Sequence, residues 1–445
     1  MEVFVKLLFI SLGCDKNLAD SEEMLGILQS RGYEFTDDER EAEIIIINSC
    51  CFIQDAKEES INTILEMAQC KIHFKCRVLI VAGCLAQRYQ EEIYKEIPEV
   101  DAILGTSSFD EIAEAAEQAL DGKKPQIFKD LNRLPDITTE RIVTTGGYYA
   151  HLKIAEGCDK HCTYCIIPKI RGKYRSIPME KLVCQAQQLA EKGVKELILV
   201  AQETTMYGMD IYGKKSLHKL LKNLCEINGI QFIRLLYCYP EEIYDELIQT
   251  IKEEKKICNY IDMPIQHCND RILKKMGRRT SKQEIKEIIN KLRQEISDII
   301  IRTTLITGFP SETEEEFQEM AEFVNEMEFD RLGVFVYSPE EGTAAANFEE
   351  QIEPERKEDR QCELMELQQE IAFEKSEEKV GKEMLAVVEG MVADENTYIG
   401  RTYMDAPGID GYVFIQTTET LMTGDFVRVR ITGASDYDLI GELCS

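Results

Sequence analysis

Three cysteines, Cys158, Cys162 and Cys165, stand in the run IAEGCDKHCTYCIIPKIRGKYR (154–175). Their spacing closes a compact loop and brings three thiolates within reach of one metal centre. A 4Fe–4S cluster bound wholly by thiolate takes four cysteines. Three leave one iron free for a substrate's amine and carboxylate. Zinc is the alternative, with His161 inside the loop. Structural zinc wants four ligands, however, and no paired C-x-x-C or His-x-x-x-His follows.

A second set is dispersed. Cys14 follows VKLLFIS (5–11), Cys50 follows EIIIINS (43–49) and Cys84 follows RVLIVAG (77–83). Continuous aliphatic runs of this kind read as parallel strands buried on both faces. The C-terminal ends of such strands share one sheet edge, where these folds bind ligands. Three thiolates so placed can converge on one site. Cys51 adjoins Cys50, and spacing alone does not choose between them. Cys184, Cys225, Cys238 and Cys258 read as small buried hydrophobes.

The elements that must position these residues follow from periodicity. Residues 1–122 alternate aliphatic runs with helix-spaced stretches, an N-terminal doubly wound parallel α/β domain. Residues 123–147 are rich in turn formers and read as a linker. From 148 to 375 six strand candidates alternate with helices: 148–155, 195–201, 231–239, 259–265, 298–306 and 330–338. Six β–α units in series suggest a central partial (βα)6 barrel, closed off by a charged trailing helix. Gln202, Glu203 and Thr204 follow its second strand and Arg302 lies in its fifth; all four are candidate cofactor contacts. Residues 376–445 switch to five short β runs, a small antiparallel barrel of OB type.

The chain of 445 residues carries a formal charge of −30, which disfavours nucleic acid and anionic membrane as partners. The C-terminal region holds five Lys or Arg against thirteen Asp or Glu. An RNA-binding barrel needs a basic groove, so direct RNA binding is not expected. No apolar run approaches the ~20 residues of a membrane span. The apolar stretch before Cys14 is also shorter than a signal peptide needs. Sixteen cysteines in a cytoplasmic chain then imply metal or redox chemistry rather than disulfides.

The loop 154–175 resembles the radical S-adenosylmethionine superfamily, with Tyr164 in the aromatic place before the last cysteine. The whole chain resembles the methylthiotransferase family, which joins a three-cysteine domain, a radical S-adenosylmethionine barrel and a C-terminal TRAM domain. NSCCF (48–52) is similar to the family's Asn-Thr-Cys-x-Phe, which selects Cys50, with Ser49 for Thr. SLGCDKNLADSE (11–22), AQETTMYGMDIYG (201–213), MPIQHCNDRILKKMGR (263–278) and GRTYMDAPGIDG (400–411) resemble the branch acting on a ribosomal protein rather than on transfer RNA. Glu203 stands where Asp is expected, and Ser311 where Gly is expected.

The resemblance implies two 4Fe–4S clusters, one on Cys158, Cys162 and Cys165 that cleaves S-adenosylmethionine, and one on Cys14, Cys50 and Cys84 that supplies sulfur. Asp15 and Lys16 would lie beside the second. It implies an aspartate of small-subunit ribosomal protein S-twelve as target, and a flavodoxin or ferredoxin as reductant. The readings set against it are a transfer RNA methylthiotransferase and a metal-bearing, non-catalytic ribosome-associated module.

Overall fold

The computed structural model describes residues 5–137, 139–393 and 396–444. The first sheet is wholly parallel. β1 (Lys6–Ser11), β2 (Glu34–Phe35), β3 (Ile44–Ser49), β4 (Val78–Gly83), β5 (Ala102–Leu104) and β6 (Gln126–Ile127) stand in the order β2-β1-β3-β4-β5-β6. Ile44 and Ile46 pack on Met24 and Leu28 of the helix Asp15–Ser30. Ile45 and Ile47 pack on Ile64 and Met67 of the helix Gln54–His73, on the opposite face. Both faces are therefore dry, which is why β3 is aliphatic without alternation. The order reverses between β1 and β3, where doubly wound sheets open a ligand crevice.

β2, β5 and β6 are two or three residues long, too short to leave a periodic signal. β6 falls within 123–147, where composition suggested only a linker. It pairs with β5 and extends the sheet edge. Arg141, in the same stretch, is buried against Glu22.

The second sheet is β7 (Tyr149–Lys153), β10 (Glu196–Val200), β11 (Phe232–Leu235), β12 (Ile257–Asp262), β13 (Ile300–Thr307) and β14 (Arg331–Val336), all parallel, in the order β14-β13-β12-β11-β10-β7. All six strand candidates from the sequence are present. A small ribbon, β8 (Ala155–Glu156) with β9 (Arg175–Ser176), brackets the cysteine loop. Alternate strand residues part company, as a period of two requires. Leu197, Leu199, Ile233 and Ile301 face the helices. Ile198, Val200, Tyr260 and Ile300 instead meet Ala386, Val413, Ile415 and Val429 of the C-terminal domain. That domain is a closed barrel of β15 (Glu383–Met391), β16 (Thr397–Thr402), β17 (Val413–Gln416), β19 (Asp438–Leu443) and β18 (Phe426–Ser435).

Ser311, which replaces an expected glycine, has φ +69°. The loop keeps the glycine backbone and a side chain bears the cost, of order 1–2 kcal/mol in the left-handed region. Ser311→Gly relieves this cost but removes the hydroxyl that accepts from Arg271 at 3.1 Å and from Lys275, so stability should change by no more than about 1 kcal/mol. Denaturant unfolding of both proteins checks this.

Candidate active site

Cys14, Cys50 and Cys84 each follow the C-terminal end of a neighbouring strand: β1, β3 and β4. Gly13 takes φ +88°, and a Cβ there would lie 2.5 Å from the Cys50 Cβ and 2.7 Å from its Sγ. The Cys50 side chain therefore packs directly on the residue before Cys14. Cys84 opens the helix Cys84–Tyr89, after Gly83 at φ +90°. Burial pushes the Cys84 thiol well up, and the nearby Cys51, Cys50 and Cys14 add to it while Arg171 opposes. Burial also raises Cys50, and Cys14 again adds to it. Cys51 is pushed up to about 11, by burial first. The three thiols thus share one electrostatic neighbourhood, and Cys51 belongs to it as well.

The second loop is clamped from outside. Thr163 N–H donates to the Met276 carbonyl at 2.9 Å, its hydroxyl to the Lys275 carbonyl at 2.8 Å, and its own carbonyl accepts from Ala345 N–H at 2.8 Å. Cys158 N–H donates to the Gly172 carbonyl at 3.1 Å. Burial lifts the Cys158 thiol to about 12 and Cys165 further; Cys162 raises both. Buried thiols crowded in this way ionise only beside strong positive charge, which cluster irons supply.

The second loop fits such a group on one further observation. Around the second loop, buried polar atoms lack hydrogen-bond partners: both Glu241 carboxylate oxygens, Arg278 Nε and Nη1, Tyr174 Oη and Gln202 Oε1. Buried groups without partners are costly, and here they surround one loop, as a polar ligand's pocket would require.

Two features join the sites. Arg171, 2% exposed, lies six residues beyond Cys165. It donates to Asp20 at 2.8 Å, Glu156 at 3.0 Å, Asn17 at 2.5 Å and Cys84 Sγ at 3.4 Å. Lys153 joins the same carboxylates, pairing with Asp20 and, at 3.0 Å, with Glu156. Two cations thus balance two carboxylates in a closed buried network. The second feature is the segment 237–239 beyond β11. The Lys16 ammonium sits 3.3 Å above the Tyr237 ring centroid, beside Cys14. Arg278 sits 4.3 Å above the Tyr239 ring, beside Cys162 and Tyr164. Tyr237 holds φ +58°, fixed by Asp262 Oδ2 accepting from its N–H at 2.9 Å and by Thr204 N–H donating to its carbonyl at 3.0 Å.

The four expected cofactor contacts separate. Glu203 lines a cleft of about 230 Å³ with Lys160, Tyr174, Met206 and Glu242. Gln202 donates to Glu156 at 3.0 Å. Thr204, fully buried, spends its hydroxyl on the Leu236 carbonyl at 2.8 Å. Arg302 pairs with Asp262 at 2.8 Å and Asp410 at 3.2 Å, where the two barrels meet. Sequence reading missed Arg171, Lys160, Tyr237, Tyr239, Glu241 and Arg278. Arg171 and Lys160 carried a signal as basic residues of the run 154–175, and Arg278 as the end of the run 263–278; the others carried none.

Burial pushes the Glu203 carboxyl up to about 7, with Lys160 opposing and Glu242 and Glu241 adding. Released into solvent it titrates near 4.5. Between these values the folded chain binds more protons than the unfolded one, so stability falls as pH rises through that window. Glu203→Gln should flatten this fall. Unfolding midpoints of the metal-free protein at about pH 5.5 and about pH 7.5 will lie closer together in the variant than in the wild type.

Residues 6–105 match Uncharacterized protein family UPF0004, 152–324 the Radical SAM superfamily and 380–444 the TRAM domain. The chain is 61% identical over 98% of its length, and 99% of the relative's, to the Ribosomal protein uS12 methylthiotransferase RimO of Lachnoclostridium phytofermentans. It belongs to the RimO methylthiotransferase family. The RimO protein of Acetivibrio thermocellus is 51% identical, with 98% of each chain covered. Among solved structures, the radical S-adenosylmethionine methyltransferase TsrM of Kitasatospora setae has a TM-score of 0.55 at 14% identity, covering 78% of this chain and 77% of its own, a likeness of fold. As a RimO-family member the chain is a radical S-adenosylmethionine, sulfur-inserting transferase, and superfamily membership implies a 4Fe–4S cluster and S-adenosylmethionine. No helix among the described residues is long and apolar enough to cross a membrane.

Proposed function

We propose that this chain methylthiolates the β-carbon of an aspartate in ribosomal protein uS12, the small-subunit protein S-twelve, using two 4Fe–4S clusters. The observation that carries this reading is the convergence of two three-cysteine sites on the two ends of one tripeptide, Tyr237 to Tyr239. Cys158, Cys162 and Cys165 would hold one cluster and Cys14, Cys50 and Cys84 the other; Cys50 rather than Cys51 is favoured by its packing on Gly13. When bound, the cofactors supply reductive cleavage of S-adenosylmethionine to a hydrogen-abstracting radical, sulfur for insertion and, from a second S-adenosylmethionine, a methyl group.

The residues position and protect this chemistry. Glu203 lines the cleft where a cofactor would bind, while Gln202, Thr204 and Arg302 hold Glu156, the Leu236 carbonyl and Asp262 in the barrel around it. The closed network around Arg171 excludes water between the sites and fixes their spacing. An unactivated C–H bond offers no acid–base handle, which is why a radical is needed. We place the functional units at 1–122, 148–375 and 376–445, joined by 123–147. The reductant would be a flavodoxin or ferredoxin, and the setting cytoplasmic.

A protein substrate is favoured over transfer RNA by the C-terminal barrel. Of its five basic residues Lys379 and Arg401 are buried, and Arg401 is consumed by Glu196 and Glu389. Lys382 and Arg430 pair with Asp298 and Glu383. Little positive charge remains for phosphates, whereas a basic ribosomal protein is complementary. Mass spectrometry after anaerobic reaction tests the reading. A gain of one SCH2 unit on uS12 is expected; the same gain on transfer RNA alone overturns it.

A further inference from the structure

Residues 271–282, RILKKMGRRTSK, hold six Lys or Arg and no Asp or Glu, in a chain with 82 acidic residues against 52 basic. They continue the helix Asp270–Lys275 and include the clamp on the second cysteine loop. Three of the six cations are committed: Arg271 to Glu316, Lys282 to Glu319, and Arg278, buried, to the Tyr239 ring. Lys274 and Arg279 are exposed, and among the described residues neither meets a carboxylate at ion-pair distance. Half-buried Lys275 reaches the Ser311 hydroxyl. Between them Gly277 is exposed at φ +76°. A Cβ there would lie 3.0 Å from the His161 carbonyl oxygen and 3.5 Å from the Cys162 Cα. A surface laid on this patch is therefore separated from the cysteine loop by one residue's main chain.

The position of the patch says what should dock there. This step rests on the cluster assigned above to Cys158, Cys162 and Cys165. Such a cluster needs one electron for each reductive cleavage, yet Cys158 and Cys162 are only 6% and 7% exposed. The electron must cross protein from some surface, and transfer slows steeply with distance. The crossing at Gly277 is thin, and its surroundings are basic where the chain as a whole, at −30, repels anions. We propose that Lys274, Lys275, Gly277 and Arg279 form the docking surface of an acidic one-electron carrier protein, which reduces the cluster across the Gly277 contact with Cys162. The carrier is oxidised by one electron and the cluster reduced by one; no bond breaks and no proton moves. Complementary charge steers the encounter and sets the register of the complex. RNA is the other polyanion a basic patch suits, but it brings no electron and gains nothing from the short path to Cys162.

The test uses reconstituted protein with S-adenosylmethionine, kept anaerobic and at low ionic strength, where charge steering is least screened. Electrons come from reduced flavodoxin, from reduced ferredoxin or from dithionite, a small reductant that needs no docking surface. The rate of 5′-deoxyadenosine formation is read against carrier concentration, with iron content measured in parallel. Lys274→Glu should raise the KM for the carriers about 5-fold, and Lys274→Gln about 2-fold, the scale of a charge at the rim of an interface. The dithionite-driven rate and the iron content should stay at the wild-type level. An unchanged KM for both carriers in Lys274→Glu overturns the proposal. So does an equal loss with dithionite, because Lys274 would then serve the loop itself. Weakened binding of small-subunit ribosomal RNA with carrier kinetics unchanged overturns it too, and gives the patch to RNA. A wild type that forms 5′-deoxyadenosine from a carrier's electrons but leaves uS12 unmodified overturns the function proposed above, while the docking surface stands.

Discussion

Replacing Cys158, Cys162 and Cys165 together by Ala will abolish cleavage of S-adenosylmethionine and leave the N-terminal cysteines loaded. The two sets belong to different sheets. Cys14, Cys50 and Cys84 are carried by β1, β3 and β4, whose cores are formed mostly within the first domain, with Ile166 and Ile170 from just beyond the second cysteine loop packed against one face. The loop 158–165 is clamped by Met276, Lys275 and Ala345 of the second. The substitutions shorten three side chains without touching those clamps. Iron should fall from about eight to about four per chain, the content of one four-iron cluster. 5′-Deoxyadenosine formation should drop below detection. Loss of all iron would show that the sites have been divided wrongly.

The second large effect is on stability. Arg171→Met removes four hydrogen-bonding contacts and leaves Lys153 as the one cation bonded to Asp20 and Glu156, all buried. Breaking a buried ion network from one side costs about 3–5 kcal/mol, because the abandoned carboxylates keep their desolvation penalty. Lys169→Met is the control two residues earlier. Lys169 is exposed and donates only to the Gly342 carbonyl, so a change within about 0.5 kcal/mol is expected. Denaturant midpoints of the iron-free proteins separate the two. Equal small shifts would mean that the network is solvated in solution.

The elements that carry the cysteines were legible because each has a strong local signal. EIIIINS and RVLIVAG can only be doubly covered strands, and three cysteines within eight residues leave few chemical options. The five C-terminal runs alternate clearly enough to count. What could not be read depends on contacts between distant segments. Arg171 meets residues 17, 20, 84 and 156, and no local pattern pairs them. Arg302 was expected at a ligand because it lies in a barrel strand; its carboxylate neighbour Asp410 comes from a loop of another domain that docks on the strand's inner face. Lys16 was placed beside the N-terminal cysteines by adjacency alone. That its ammonium lies on the Tyr237 ring appears only once every neighbour is in place.

The segment from Tyr237 to Tyr239 also sets a length. Two residues span at most about 7 Å between Cα atoms, and both rings are pinned, one by Lys16 and the other by Arg278. The backbone between them is locked at its left-handed residue by Asp262 and Thr204. Under the function proposed above, this segment is a ruler of fixed gauge between the two cysteine sets. One residue inserted between Cys238 and Tyr239 would spoil the gauge while leaving every cysteine in its own site.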